Sequence, residues 1–251
     1  MKNLFLFCAA MLLFVGCNSE SSEPNNPNLD GLVLDAKWEI EDSEIYEFFE
    51  FTSEGTYIVK FVGNDEYNAP QAFVPSKNAA TKADNEGAIF GTYESDGDDA
   101  VNMIGFGRLE VVSSNSDSVE FTLTLEDEET SETFNSSIVE PMSTSTKTTM
   151  LCRTWVVSGY TNSFEPDYEY DLATVLFSKS YTYLVGYDDG SAGLAQWKWK
   201  SESDGTFYFS WGGEWYEDAY VEITTLTSSK LVITEEEGDG SIGVTTLVPA
   251  N

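Results

Sequence analysis

The residues best placed to do chemistry are rings and carboxylates crowded into one run, WGGEWYEDAY, from Trp211 to Tyr220. Trp215, Tyr216 and Tyr220 are of the types that stack on sugar faces, and Glu214, Glu217 and Asp218 beside them can accept hydrogen bonds from hydroxyls. The same rings could instead close the end of a β structure. Three further acidic clusters have calcium-type oxygen ligands at close spacing: Asp96, Asp98 and Asp99 in ESDGDD, Asp188 and Asp189 in YDDG, and Glu235 to Asp239 in EEEGDG. None extends to a twelve-residue EF-hand loop, and Asp-Gly pairs are also ordinary turn formers, so no metal is expected. Paired carboxylates for glycoside cleavage could be drawn from the same residues, but the sequence sets no distance between them.

What is missing narrows the chemistry further. The chain contains no histidine, which removes the commonest general base and transition-metal ligand. It also lacks a Ser-centred nucleophile elbow, so no enzyme and no cofactor is expected. A formal charge of −32 makes nucleic acid and anionic surfaces poor partners. Of the three cysteines, Cys8 and Cys17 lie near the N-terminus, and Cys152 sits between Leu151 and Trp155 as a small buried hydrophobe.

The first residues, MKNLFLFCAAMLLFVGC, pair Lys2 with an apolar run from Leu4 to Val15, the length of a signal-peptide core and too short to span a bilayer. Its end, Leu13 to Cys17, resembles a bacterial lipobox. That resemblance implies cleavage after residue 16, lipidation of Cys17 and a stable membrane anchor. The next residues, NSESSEPNNPN, form a solvated tether. Their acidic and serine content resembles the export signal that sends Bacteroidetes lipoproteins to the outer surface of the outer membrane.

The remainder reads as one unit written twice. FEFTSEGTYIV (Phe49 to Val59) matches VLFSKSYTYLV (Val175 to Val185) at an offset of 126, placing Phe51 on Phe177 and Tyr57 on Tyr183. LEVVSSNSDSVEFTLTLE (Leu109 to Glu126) matches VEITTLTSSKLVITEEEG (Val221 to Gly238) at an offset of 112. Trp38 and Trp155 open the two units. The expected organisation is a leader at 1–16, a tether at 17–30, a β domain at 31–140, a Ser/Thr-rich linker at 141–150 and a second β domain at 151–251. The first unit carries a long aperiodic loop from Asn64 to Asn85.

Short alternating segments with turn signals, and no ten-residue helical pattern, predict eight antiparallel strands in the second unit and a similar number in the first. They run Thr154 to Tyr160, Leu172 to Phe177, Tyr181 to Tyr187, Leu194 to Ser201, Thr206 to Trp211, Ala219 to Leu226, Lys230 to Glu235 and Ile242 to Val248. Eight strands can close into a small up-and-down barrel. The opening tryptophans, the FTSEGTYIV hairpin, the WKW strand and the terminal VEITTLTSSKLVITEE hairpin resemble the lipocalin-like domains of Bacteroidetes lipoproteins. That resemblance implies two all-β barrels in tandem. Ala36 and Arg153 stand where animal lipocalins have glycine, which sets the chain apart from a true lipocalin pocket.

Alternation in AQWKWKSESDGTFYFSW puts Trp197, Trp199, Phe207, Phe209 and Trp211 on one face. A three-residue loop, Ser203 to Gly205, would keep them together by pairing Trp199 with Phe209 and Trp197 with Trp211. These five rings, with Trp38 and Trp155, are the expected barrel core. The functional expectation is a lipid-anchored cell-surface protein whose barrels bind a glycan or small apolar ligand, with Trp215, Tyr216 and Tyr220 as candidate contacts. The alternative is a structural or partner-binding accessory of an outer-membrane complex. A filled barrel favours the accessory and an open pocket favours the ligand.

Overall fold

The computed structural model describes residues 35–62, 87–115, 117–126, 130–165, 172–188, 192–211 and 213–250. Cys17, the tether and the Asn64 to Asn85 loop lie outside them. The first half forms β1 (Ala36–Ile40), β2 (Tyr46–Phe51), β3 (Thr56–Phe61), β4 (Ala88–Ser95), β5 (Ala100–Met103), β6 (Gly107–Ser114), β7 (Ser118–Leu125) and β8 (Ser131–Ile138). The second forms β9 (Thr154–Asn162), β10 (Leu172–Phe177), β11 (Thr182–Tyr187), β12 (Ala192–Ser201), β13 (Thr206–Ser210), β14 (Val221–Leu226), β15 (Leu231–Glu236) and β16 (Ile242–Pro249). Each set of eight closes into an antiparallel up-and-down barrel, through β1–β8 and β9–β16.

The duplication extends to its irregularities. Glu47 in β2 and Ala173 in β10 are each an extra residue in their ladders, at positions 126 apart. Val112 in β6 and Thr224 in β14 repeat this at an offset of 112. Bulges bend strands and sharpen twist, so their coincidence gives the two barrels the same corners.

Each barrel is packed with its own side chains. Trp38, Phe49, Phe51, Tyr57 and Phe121 are fully buried in the first, and Trp155, Phe177, Trp197 and Phe207 in the second. Trp38 meets Phe121 edge-on at 5.8 Å, and Phe177 meets both Trp197 and Phe207 edge-on at 5.3 Å.

The linker expectation requires a correction. Residues Thr146–Leu151 form a helix, α1, that closes one end of the second barrel. Three threonines give it weak intrinsic propensity, so tertiary contacts hold it. Ser145 caps it, accepting from the Thr148 amide at 3.0 Å. Trp155 Nε1 donates to the Leu151 carbonyl at 2.9 Å, and Trp199 Nε1 donates to Thr148 Oγ1 at 3.0 Å. The counterpart Trp38 keeps its buried Nε1 without a partner among the described residues.

The two barrels pack through equivalent outer faces. Phe48, Ile58, Ala88 and Phe90 on β2–β4 form one buried cluster with Leu176, Leu184, Ala192 and Leu194 on β10–β12. Buried beside it, Glu50 accepts a hydrogen bond from Thr182. Lys179 pairs with Asp35 at 2.7 Å, and Glu54 accepts from the Thr154 amide at 2.7 Å.

Burial pushes the Glu50 carboxyl above its usual range, against the opposing pull of Lys37 and of the Ser178 and Thr182 hydroxyls, while Asp35 adds to the rise. A raised folded value means that Glu50's contribution to stability is fully present below the ordinary carboxylate pKa of about 4.3 and is lost as pH rises through the raised value. Glu50→Gln keeps an acceptor for Thr182 without the charge. It is expected to have a higher urea midpoint than the wild type at pH 7 and the same midpoint below about pH 4. Equal midpoints at both pH values would refute this.

Candidate functional site

The hairpin that carries the WKW motif departs from expectation in register but not in sidedness. Trp199 pairs with Phe207 and Trp197 with Phe209, two residues from the expected pairing. The turn is four residues, Glu202 to Gly205, closed by the Gly205 amide on the Glu202 carbonyl at 3.2 Å, and Lys200 is an extra residue in the ladder. Gly205 adopts φ +72°, the left-handed conformation that glycine tolerates. A slip of two leaves every side chain on its face, so Trp197, Trp199, Phe207 and Phe209 all pack inside. Trp211 is the exception to a buried core. It lies past the end of β13, on the interior side near Tyr183 and Phe209, and is 39 % exposed.

The ten residues after β13, Trp211 to Tyr220, have no counterpart in the first barrel, where Ile104 to Phe106 make a tight turn between β5 and β6. This insert runs back along the barrel's outer wall. There Lys198, Lys200 and Tyr208 face outward on β12 and β13, and the insert's rings settle on them. Lys198 Nζ lies 4.0 Å from the Trp215 ring centre, and Lys200 Nζ lies 3.5 Å from that of Tyr220. Lys200 and the Tyr208 hydroxyl both donate to the Glu217 carbonyl at 3.3 Å. Tyr216 is 61 % exposed, with its hydroxyl donating to Glu214 at 2.8 Å, and Tyr220 is 41 % exposed. Of the three candidate contacts, Trp215 and Tyr220 thus have a ring face occupied by lysine, and Tyr216 is the most open.

No family model matches the chain, and no curated protein matches it. The comparison that carries information is between its own halves, and the insert is the clearest difference.

The other acidic clusters have structural partners. Asp96 holds Arg108 at 2.7 Å, and Asp239 accepts from the Ser241 amide at 2.8 Å. Asp98, Asp99 and Asp188 are exposed, and Asp189 lies outside the described residues. Among the described residues, no group of three or more His, Cys, Asp or Glu side chains could hold a metal ion.

Cys152 lines a crevice between the barrels with Glu54, Arg153, Ser178 and Lys179, of about 10 Å³, room for one water. Burial pushes its thiol up to about 12. Alkylation of the native protein at pH 8 is therefore expected to be about a thousandfold slower than in urea. Comparable rates in the two conditions would show an accessible thiolate.

Proposed function

We propose that the protein is a lipid-anchored, non-enzymatic accessory of the outer membrane that docks on a partner through the outer wall of its second barrel. The observation that carries this reading is the insert from Trp211 to Tyr220, which sets Trp215, Tyr216 and Tyr220 on the outside of one barrel only. The filled interiors support it as well, since side chains occupy the space a lipocalin-type ligand would need. The anchor at Cys17 and exposure at the cell surface are part of the proposal, from the resemblance of the leader and tether. A glycan is the second reading, favoured by the exposure of Tyr216 beside Glu214.

The test is photo-crosslinking in intact cells from a benzoylphenylalanine at position 216. A discrete adduct is expected, and it should be lost when Trp215 is also changed to alanine. Absence of any adduct would overturn the docking proposal. Selective binding to a glycan array by protein lacking residues 1–25, abolished by Trp215→Ala, would replace a protein partner with a sugar.

A further inference from the structure

Because the barrels are one fold repeated, each interior position of the second has a control in the first. At the end away from α1 the two differ sharply. Ladder register places Ile89 of the first barrel where the second has Gly193, Leu123 where it has Glu235, and Phe134 where it has Thr245. In the first barrel this end is stoppered by rings: Tyr46 packs on Phe61 at 5.6 Å, Phe134 at 5.9 Å and Phe106 at 6.5 Å. In the second barrel, the position of Tyr46 is Leu172 and the turn bearing Phe106 is replaced by the insert. Bulk and apolar character are both reduced, with Tyr187 keeping the place of Phe61.

Among the described residues, what stands at that end instead is the exposed ring of Trp211, the half-buried ring of Tyr187 and a group of oxygens. Trp211 leans inward over Gly193, where an added Cβ would lie 2.5 Å from the ring. Across the mouth, Tyr160 donates its hydroxyl to Glu237, and both fold over Gly243, where a Cβ would lie 2.7 Å from the Glu237 carboxylate. Asn162 Nδ2 donates to Ser241 at 2.9 Å. Glu235 is interior by its alternation with Leu231 and Ile233, and among the described residues no side chain donates to it. Burial first, and Glu237 second, push its carboxyl above the usual range. The wall beside it is incomplete, because β13 and β14 share only the pairs Thr206↔Glu222 and Phe207↔Val221.

The cations of the described residues are placed elsewhere. Lys37 and Lys179 are at the joint between barrels, Lys60 and Arg108 are on the first barrel, Lys198 and Lys200 are on the outer wall, and Lys147, Arg153 and Lys230 are at the α1 end. We propose that this end of the second barrel is a binding site for a small organic ammonium ion, with Trp211 offering its ring and Glu235 and Glu237 the opposing charge. An ammonium fits both halves of the mouth. Its alkyl groups and charge are attracted to an indole face, and it supplies the cation that the carboxylates lack. A neutral ligand could reach the ring and donate hydrogen bonds but would leave the carboxylate charge unbalanced. Trp211 begins the docking insert but packs on the interior side, and Glu235 belongs to the mouth alone while Trp215 and Tyr216 belong to the outer wall, so either proposal can fail alone.

The test is isothermal titration of full-length protein in detergent micelles with tetramethylammonium, and with tert-butyl alcohol as a neutral compound of similar shape. Saturable one-site binding with Kd below about 1 mM is expected for the cation only. Trp211→Ala and the isosteric Glu235→Gln should each weaken it at least tenfold with unchanged circular dichroism, whereas Trp215→Ala should leave it unchanged. Equal binding of the alcohol, no saturation by the cation up to about 10 mM, or full affinity in a folded Glu235→Gln protein would overturn the assignment.

Discussion

Trp197→Ala is expected to lower the unfolding free energy by about 3–5 kcal/mol, read as a fall in the denaturant midpoint of the second barrel. The side chain is fully buried, packs edge-on with Phe177, Trp199 and Phe207, and donates its Nε1 to the Ser178 carbonyl at 2.9 Å. Alanine removes the indole from a wall of rings that cannot collapse inward, since the strands around it are tied into a closed cylinder. It also strips the Ser178 carbonyl of its donor. Trp197→Phe should recover much of the packing but not the hydrogen bond and fall between the two. A loss below about 1 kcal/mol for the alanine variant would mean that the ring is not central to the core.

Leu184→Asp is expected to separate the barrels without unfolding either. Leu184 points out of the second barrel into the joint, where it is buried against Ile58 and Phe90 rather than against the barrel's own interior. A carboxylate there would be buried among apolar side chains beside the Glu50 carboxyl, and although Lys37 also lies at the joint, removing a new charge from water costs several kcal/mol. Opening the joint lets water solvate the new charge at the loss of one apolar cluster. Small-angle scattering should report a larger radius of gyration, and the denaturation curve should split into two steps. A single step at a lower midpoint with unchanged dimensions would show that the joint holds and the second barrel itself has been weakened.

Much of this architecture can be read from residue order, and the reason is physical. Strand alternation and the two offsets reflect side chains that must face a barrel interior, so Phe51 and Phe177, or Val119 and Leu231, repeat because the same wall is built twice. Register was less legible. The extra residue at Lys200 and the four-residue turn at Gly205 have no composition that separates them from a three-residue loop, and a shift of two conserves the burial pattern that alternation reports. The helix Thr146–Leu151 escapes because, beside the local bond from Trp155, its stability comes from Trp199 and Glu202, which are distant in the chain.

The candidate sites were legible only in part. The insert stood out by its aromatic content, but which side of the wall it covers depends on Lys198 and Lys200, whose role needed three dimensions. Glu50 was visible in principle, since the offset of 126 sets it opposite Leu176 and makes it the odd member of a pair. Glu235 reads by composition as a turn-forming acid, although the offset of 112 sets it opposite Leu123. Mismatches between halves, rather than motifs, mark both residues.

Two equivalent faces pressed together have the geometry of an isologous dimer, the commonest closed arrangement of identical subunits. Here both subunits belong to one polypeptide, so the pairing is independent of concentration and each molecule carries one copy of either half. A symmetric pair must change both partners with every mutation. Joined in one chain, the halves are released from that constraint, and the first barrel can retain its ring-stoppered end and tight turn while the second gives both up.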